Sequence, residues 1–238
     1  MQRFLTKPLF NQNEQTMKQI ITKLLLLSLL SIIATNVFAQ FSVKTGYSFN
    51  YTNPKTFNSI LQAFNTNSQS TAPYDDLNIM HGLHIGTRYD LPFVALEFGW
   101  INRFKNLSTN LNDDLGNTIE QTLFYRTNTI SATLENNYGI FAYGGSINYN
   151  LYSVKRRNGD VGSRAKILTT NNWSGQLYLS INTARSHQIR LSIRPFVEIP
   201  LSNIPLQEFD QNLNDAGMSE MKNEDALIFG LKILFING

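Results

Sequence analysis

His81 and His84 stand in an H-x-x-H, a spacing that on a helix aims two imidazoles at one metal ion. Here they fall in a segment, residues 78–90, whose apolar and polar residues alternate with the period of a strand. Strand positions three apart point to opposite faces, so the pair cannot chelate one ion without a bulge. The third histidine, His187, falls in a tight turn. A triad could be assembled from His81, a nearby serine and Glu97, but no nucleophile motif fixes its geometry. The sequence therefore assigns no catalytic residue, no metal ligand and no cofactor. Five cations, Lys155, Arg156, Arg157, Arg164 and Lys166, crowd one stretch. They could hold lipopolysaccharide phosphates through charge-assisted hydrogen bonds, or form a solvated hairpin loop that Asn158-Gly159 turns.

The elements that would carry these residues are strands. Phe41, Val43, Thr45, Tyr47, Phe49 and Tyr51 alternate with Ser42, Lys44, Gly46, Ser48 and Asn50, which gives one apolar face and one polar face. The same period marks eight segments, at about 41–51, 78–90, 93–104, 118–134, 138–154, 172–183, 188–199 and 225–236. Most are about a dozen residues long, nearer the ~9–11 residues of a bilayer-crossing strand than the ~5–6 of a soluble one. Tight connections at Asp90 to Pro92, Glu135 to Asn137 and Ala184 to His187 alternate with long polar ones at 52–77, 105–117, 155–171 and 200–224. Short periplasmic turns and long extracellular loops are the pattern of outer-membrane barrels. The fourth segment alone lacks a clean parity, and a bulge near Thr127 to Thr129 would restore it.

A soluble sandwich or barrel that binds an apolar ligand would alternate in the same way with its faces reversed. Volume favours the membrane. The apolar face carries Phe, Tyr, Trp and Leu, too bulky for the inside of an eight-stranded barrel. The polar face carries Gly, Ser and Asn together with Lys44, Arg88, Glu97, Arg103, Glu120, Arg126, Arg190, Arg194, Glu198 and Lys232. Charges of both signs in a narrow lumen are expected to pair, because desolvating them singly is costly. A lumen filled in this way is a structural core rather than a channel. Tyr51, Trp100, Phe104, Tyr149 and Trp173 near the long loops, and Phe41, Tyr89, Phe93, Phe141 and Phe235 near the short turns, would form two interfacial girdles.

Export is written at the start of the chain. Lys18 and Lys23, the apolar run Leu24 to Ile33 and the small-residue chemistry ending at Ala39 make residues 17–39 a secretory signal, cleaved before Gln40. Residues 1–16 are an upstream extension without such a pattern, so Met17 is an alternative start. The leader holds four of the 20 basic and one of the 17 acidic residues, which leaves the mature chain balanced and gives no reason to expect nucleic-acid binding. With no cysteine, no disulfide framework can staple residues 40–238.

The signal, the segment Phe141-Ala-Tyr-Gly-Gly-Ser-Ile-Asn-Tyr-Asn-Leu151, the segment Arg194-Pro-Phe-Val-Glu-Ile-Pro-Leu-Ser-Asn-Ile204 and the closing Ile228-Phe-Gly-Leu-Lys-Ile-Leu-Phe235 resemble the porin-like family of small outer-membrane β-barrel domains, of the OmpX and OmpA-barrel type. The resemblance covers residues 40–238. It implies an all-β, eight-stranded, antiparallel, up-and-down transmembrane barrel in the outer membrane of a Gram-negative cell after Sec-type export. The expected function is non-enzymatic: a structural, surface-interaction or adhesion role. Its expected partners are outer-membrane lipid and lipopolysaccharide, with surface polysaccharide or protein at the loops, and the expected state is a monomer. A narrow channel, a lipid A hydrolase and a soluble periplasmic barrel are the alternatives.

Overall fold

The structure is a computed structural model that describes residues 41–68, 70–112, 116–159, 162–183, 189–214 and 222–237. The expected cleavage site at Ala39 and Gln40, and the turn residue His187, lie outside the described residues. In chain order the elements are β1 (Phe41–Thr52), α1 (Lys55–Asn67), β2 (Ile79–Asp90), β3 (Val94–Asn112), β4 (Thr118–Tyr138), β5 (Phe141–Asn158), β6 (Ala165–Asn182), β7 (Ile189–Pro200), β8 (Ile204–Pro205), α2 (Gln207–Asn214), β9 (Asn223–Glu224) and β10 (Ile228–Asn237).

Eight strands close a barrel in the order β1-β10-β7-β6-β5-β4-β3-β2. The ladders from β2 to β7, and on through β10 to β1, are antiparallel. Across the last seam, between β1 and β2, the Thr52 amide donates to the Asn78 carbonyl at 2.8 Å and Asn50 Nδ2 donates to the Met80 carbonyl at 3.2 Å. Closure leaves no unpaired edge, which a strand in lipid could not tolerate.

The strands are longer than their alternation indicates. β3 and β4 stay paired from Val94↔Asn136 to Asn112↔Thr118, so most of the expected loop 105–117 is ladder. β5 and β6 likewise run up to Asn158 and from Ala165, which shortens the expected loop 155–171. The expected tight turn at Glu135 to Asn137 is strand as well. The chain reverses at Gly139-Ile140, where Gly139 takes φ 64, a left-handed conformation that glycine adopts without steric cost.

The expected bulge at Thr127 to Thr129 is absent, because the β4 register is continuous on both sides. A register shift falls instead between Val154 and Lys155. β4 looked irregular because its polarity inverts along its length. In the lower part Ile130, Ala132 and Leu134 face outward, with Thr129, Ser131 and Glu135 inside; higher up, Leu123 and Tyr125 turn inward and are buried. The outside is apolar where it must meet lipid and the inside is apolar where the outside meets water.

The other two long connections form a cap over the end of the barrel opposite the short turns. Phe57, Ile60, Leu61 and Phe64 recur at helical spacing along α1, and Leu206, Phe209 and Leu213 do so around α2. These side chains meet Leu107, Leu123, Tyr125, Tyr152, Val154 and Leu168 from the barrel walls in one buried apolar cluster. The rings of Phe57 and Phe209 stack at 4.5 Å. Glu224 of β9 accepts the Thr56 and Phe57 amides at 2.8 and 3.1 Å, which satisfies the open first turn of α1.

Candidate functional site: the lumen and the outer wall

The polar face of the barrel converges on Glu97. Its carboxylate, on β3, accepts Lys44 Nζ of β1 at 2.5 Å, Arg88 Nη1 of β2 at 2.5 Å and the Arg194 guanidinium of β7 at 2.8 and 2.9 Å. Glu135 of β4 pairs with Arg88 at 2.6 Å and with Arg194 at 2.9 Å, and accepts the Tyr178 hydroxyl of β6 at 2.9 Å. Tyr178 reaches it across Gly144, where an added Cβ would collide with the phenol. Six strands are thus tied through two buried carboxylates.

A second cluster sits around Glu198 of β7. It pairs with Arg103 of β3 and accepts Ser174 Oγ at 2.6 Å and Gln176 Nε2 at 3.3 Å. Lys232 of β10 donates to Gln176 Oε1 at 2.5 Å. In low dielectric such charges are tolerated because nearly every one has a partner. Among the described residues His84, 5% exposed, has neither ring nitrogen hydrogen-bonded to protein.

The lumen set expected from the sequence divides in the structure. Lys44, Arg88, Glu97, Arg103, Arg194, Glu198 and Lys232 are buried inside. Arg190 sits at the rim, partly exposed, 3.5 Å from Asp90. Two assignments are corrected. Glu120 is exposed near the tip of the β3–β4 hairpin, and Arg126 lies on the outer wall, where Nη1 donates to the Tyr125 and Lys105 carbonyls at 2.8 and 3.3 Å. Both follow from reading β4 in the wrong register of faces. Glu135 was missed for a related reason, because Glu-Asn-Asn has the composition of a turn.

His81 and His84 lie on opposite sides of the wall. His81 Nδ1 is 2.8 Å from the Tyr47 hydroxyl and its ring lies against Phe49 and Phe104, while His84 is inside. They cannot share an ion, and His81 cannot reach Glu97 through the wall. Among the described residues no group of three or more His, Asp or Glu has metal-binding proximity.

Of the five clustered cations, Lys155 and Lys166 are paired across β5 and β6. Arg157 and Arg164 place their guanidiniums 5.3 and 4.1 Å from the centre of the Phe124 ring. Arg156 leaves the group, donating to the Asn212 carbonyl of α2 at 3.1 Å. The alternation puts it on the inward, cap-facing side of β5.

The outer wall decides the architecture. Phe49, Leu83, Phe98, Ile130, Ile147, Leu177, Leu179 and Phe229 all point out and are exposed, while behind them Lys44, Arg88, Glu97, Arg103, Arg194, Glu198 and Lys232 are buried inside. Such a surface is stable only against lipid. The fold is a transmembrane β-barrel. Tyr149 and Trp173 pair at 5.0 Å toward its capped end, and Tyr138 and Tyr143 stack at 5.8 Å beside a short turn, as interfacial rings do. No family model and no curated protein matches the chain. Among solved structures it is similar to Neisserial surface protein A, with 7% identity, 83% of this chain and 96% of that one covered, and a TM-score of 0.46. It is also similar to Ail, the attachment invasion locus protein of Yersinia pestis, seen in complex with the heparin analogue sucrose octasulfate, with 12% identity, coverage of 83% and 95% and a TM-score of 0.39. For the outer membrane protein OprG from Pseudomonas aeruginosa the figures are 8%, 82% and 93%, and 0.38.

Proposed function

We propose that the protein is a non-enzymatic barrel of the Gram-negative outer membrane, with a closed interior, that presents its folded cap to partners outside the cell. One observation carries this reading: the apolar wall encloses an interior bridged by ion pairs and covered by the α1–α2 cluster. A soluble ligand-binding barrel would have the faces reversed. A channel would need an open path where Glu97 and Glu135 draw side chains from six strands together. A hydrolase built on His81 and Glu97 would need groups that stand on opposite sides of the wall. What the cap offers outside is a compact surface of two helices and one short ladder, so partners of the polysaccharide or protein kind would meet a formed surface rather than open loops.

Planar-bilayer recordings on the purified full chain test the closed interior, with no steady conductance expected; regular ion-passing openings would refute it. Detergent-extracted protein run on a gel with and without boiling tests the membrane reading. A heat-dependent shift is expected, and recovery of unshifted protein in the soluble periplasmic fraction would reject it.

A further inference from the structure

Phe124 lies on the outward face of β4, alternating with the inward Leu123 and Tyr125 and opposite Lys155 in register. It is nevertheless only 7% exposed. Three arginines cover it: Arg164 at 4.1 Å, Arg157 at 5.3 Å and Arg126 at 5.9 Å from the ring centre, with Arg126 also 5.3 Å from the Phe104 ring. Lys155 and Lys166 stand beside them. Each guanidinium gains from an aromatic face, but three on one ring repel one another.

Among the described residues no carboxylate forms an ion pair with any of the five. Glu120 stands further up the hairpin and accepts Thr122 Oγ1 at 3.5 Å. Arg157 Nε is buried without a hydrogen-bond partner. The rings hold the cations in place. Arg126 spends Nη1 on the Tyr125 and Lys105 carbonyls and on Asn106 Oδ1. Among the described residues Arg157, Arg164, Lys155 and Lys166 have no side-chain hydrogen-bond partner, so their donors are available to a multiply charged oxyanion.

The height of the cluster selects the source of that anion. Arg126 is four residues beyond Ile130 along β4, about 13 Å at ~3.3 Å per residue, on the capped side of the Tyr149–Trp173 pair. It faces sideways, above the apolar band of the wall and at the level where the polar headgroups of neighbouring lipid stand, and not up along the barrel axis.

We propose that Arg126, Arg157, Arg164, Lys155 and Lys166, seated on Phe124 and Phe104, form a lateral binding site for the phosphate groups of an outer-leaflet glycolipid of the lipopolysaccharide class. The site rests on the outer-membrane reading above. Arg126 enters it and Arg156 does not, which separates it from the basic stretch as written in the chain.

The test titrates the full chain, folded in detergent micelles, with bisphosphorylated lipid A, with the same lipid stripped of phosphate, and with inorganic phosphate and heparin as competitors. Wild-type protein should bind the phosphorylated lipid. Arg126→Ala/Arg157→Ala/Arg164→Ala, or removal of the lipid's phosphates, should weaken binding by about tenfold or more. Lys55→Ala, which removes a cation from the cap, should leave it unchanged. If the triple variant loses its heat-dependent gel shift, Arg164→Ala alone is read instead, with binding weakened in the same direction. Equal binding by a folded variant, or by phosphate-free lipid, overturns the proposal, as does binding of heparin or inorganic phosphate with none of lipid A. A wild-type chain that shows no gel shift and no membrane association fails the parent reading instead.

Discussion

Glu97→Ala would leave Lys44, Arg88 and Arg194 facing one another in the buried lumen, with Glu135, and for Arg88 also Asp90, as the remaining nearby carboxylates. Losing one partner of a buried ion pair costs about 3–5 kcal/mol. The expected outcome is a lower midpoint in urea unfolding, read from the gel shift, with Glu120→Ala on the exposed hairpin leaving it unchanged. At this scale the chain showed which residues are charged and, on the regular strands, which face they take. It did not show partnership. Lys44 and Glu97 are 53 residues apart, and Arg194 and Glu97 are 97 apart. Glu135 was hidden in a turn-like string, and Arg126 was placed inside because nothing local marks where a strand leaves the bilayer.

β6 and the two cap helices show how element boundaries carry energy. Leu177 lies mid-way along the lipid-facing side of β6 and is 60% exposed, so Leu177→Arg should cost about 2–4 kcal/mol in a bilayer, measured by unfolding from lipid vesicles. In the cap, Leu61→Ala removes a fully buried side chain at a cost of about 2–5 kcal/mol. That loss should loosen the cap before the barrel, so proteolysis should nick residues 53–78 or 201–227 while the gel shift survives.

Acid should act on the same element. Burial raises the Asp210 carboxyl, but the hydrogen bonds from Lys222 at 2.7 Å and Asn214 at 2.8 Å, and the Lys222 charge, outweigh it and hold the group below its ordinary value. A depressed carboxyl contributes stability that is full above its unfolded pKa of about 3.9 and is lost as pH falls through the lower folded value. Protease sensitivity of the cap should therefore rise below about pH 4, and Asp210→Asn should already show it near neutrality. Both helices were legible in the spacing of Phe57, Ile60, Leu61 and Phe64 and of Leu206, Phe209 and Leu213. Their Asn- and Ser-rich surroundings read as loop because composition outweighed period.

For the whole molecule, eight segments of period two and the alternation of short and long connections led to the closed barrel, since short links in an antiparallel chain leave neighbours little choice. The chain alone also determined that one face is bulky and apolar and the other small and charged. Which face is inside was an argument from volume, and the assembled wall settled it: an eight-stranded interior has room for the glycines and ion pairs but not for Phe, Trp and Leu from every strand. Tertiary structure alone decided where that polarity reverses, which carboxylate each cation meets, and that Arg126, Arg157 and Arg164 gather on one ring. These facts depend on the height of each residue relative to its neighbours around the barrel. A linear sequence records the order of residues along a strand but not the level at which adjacent strands pair.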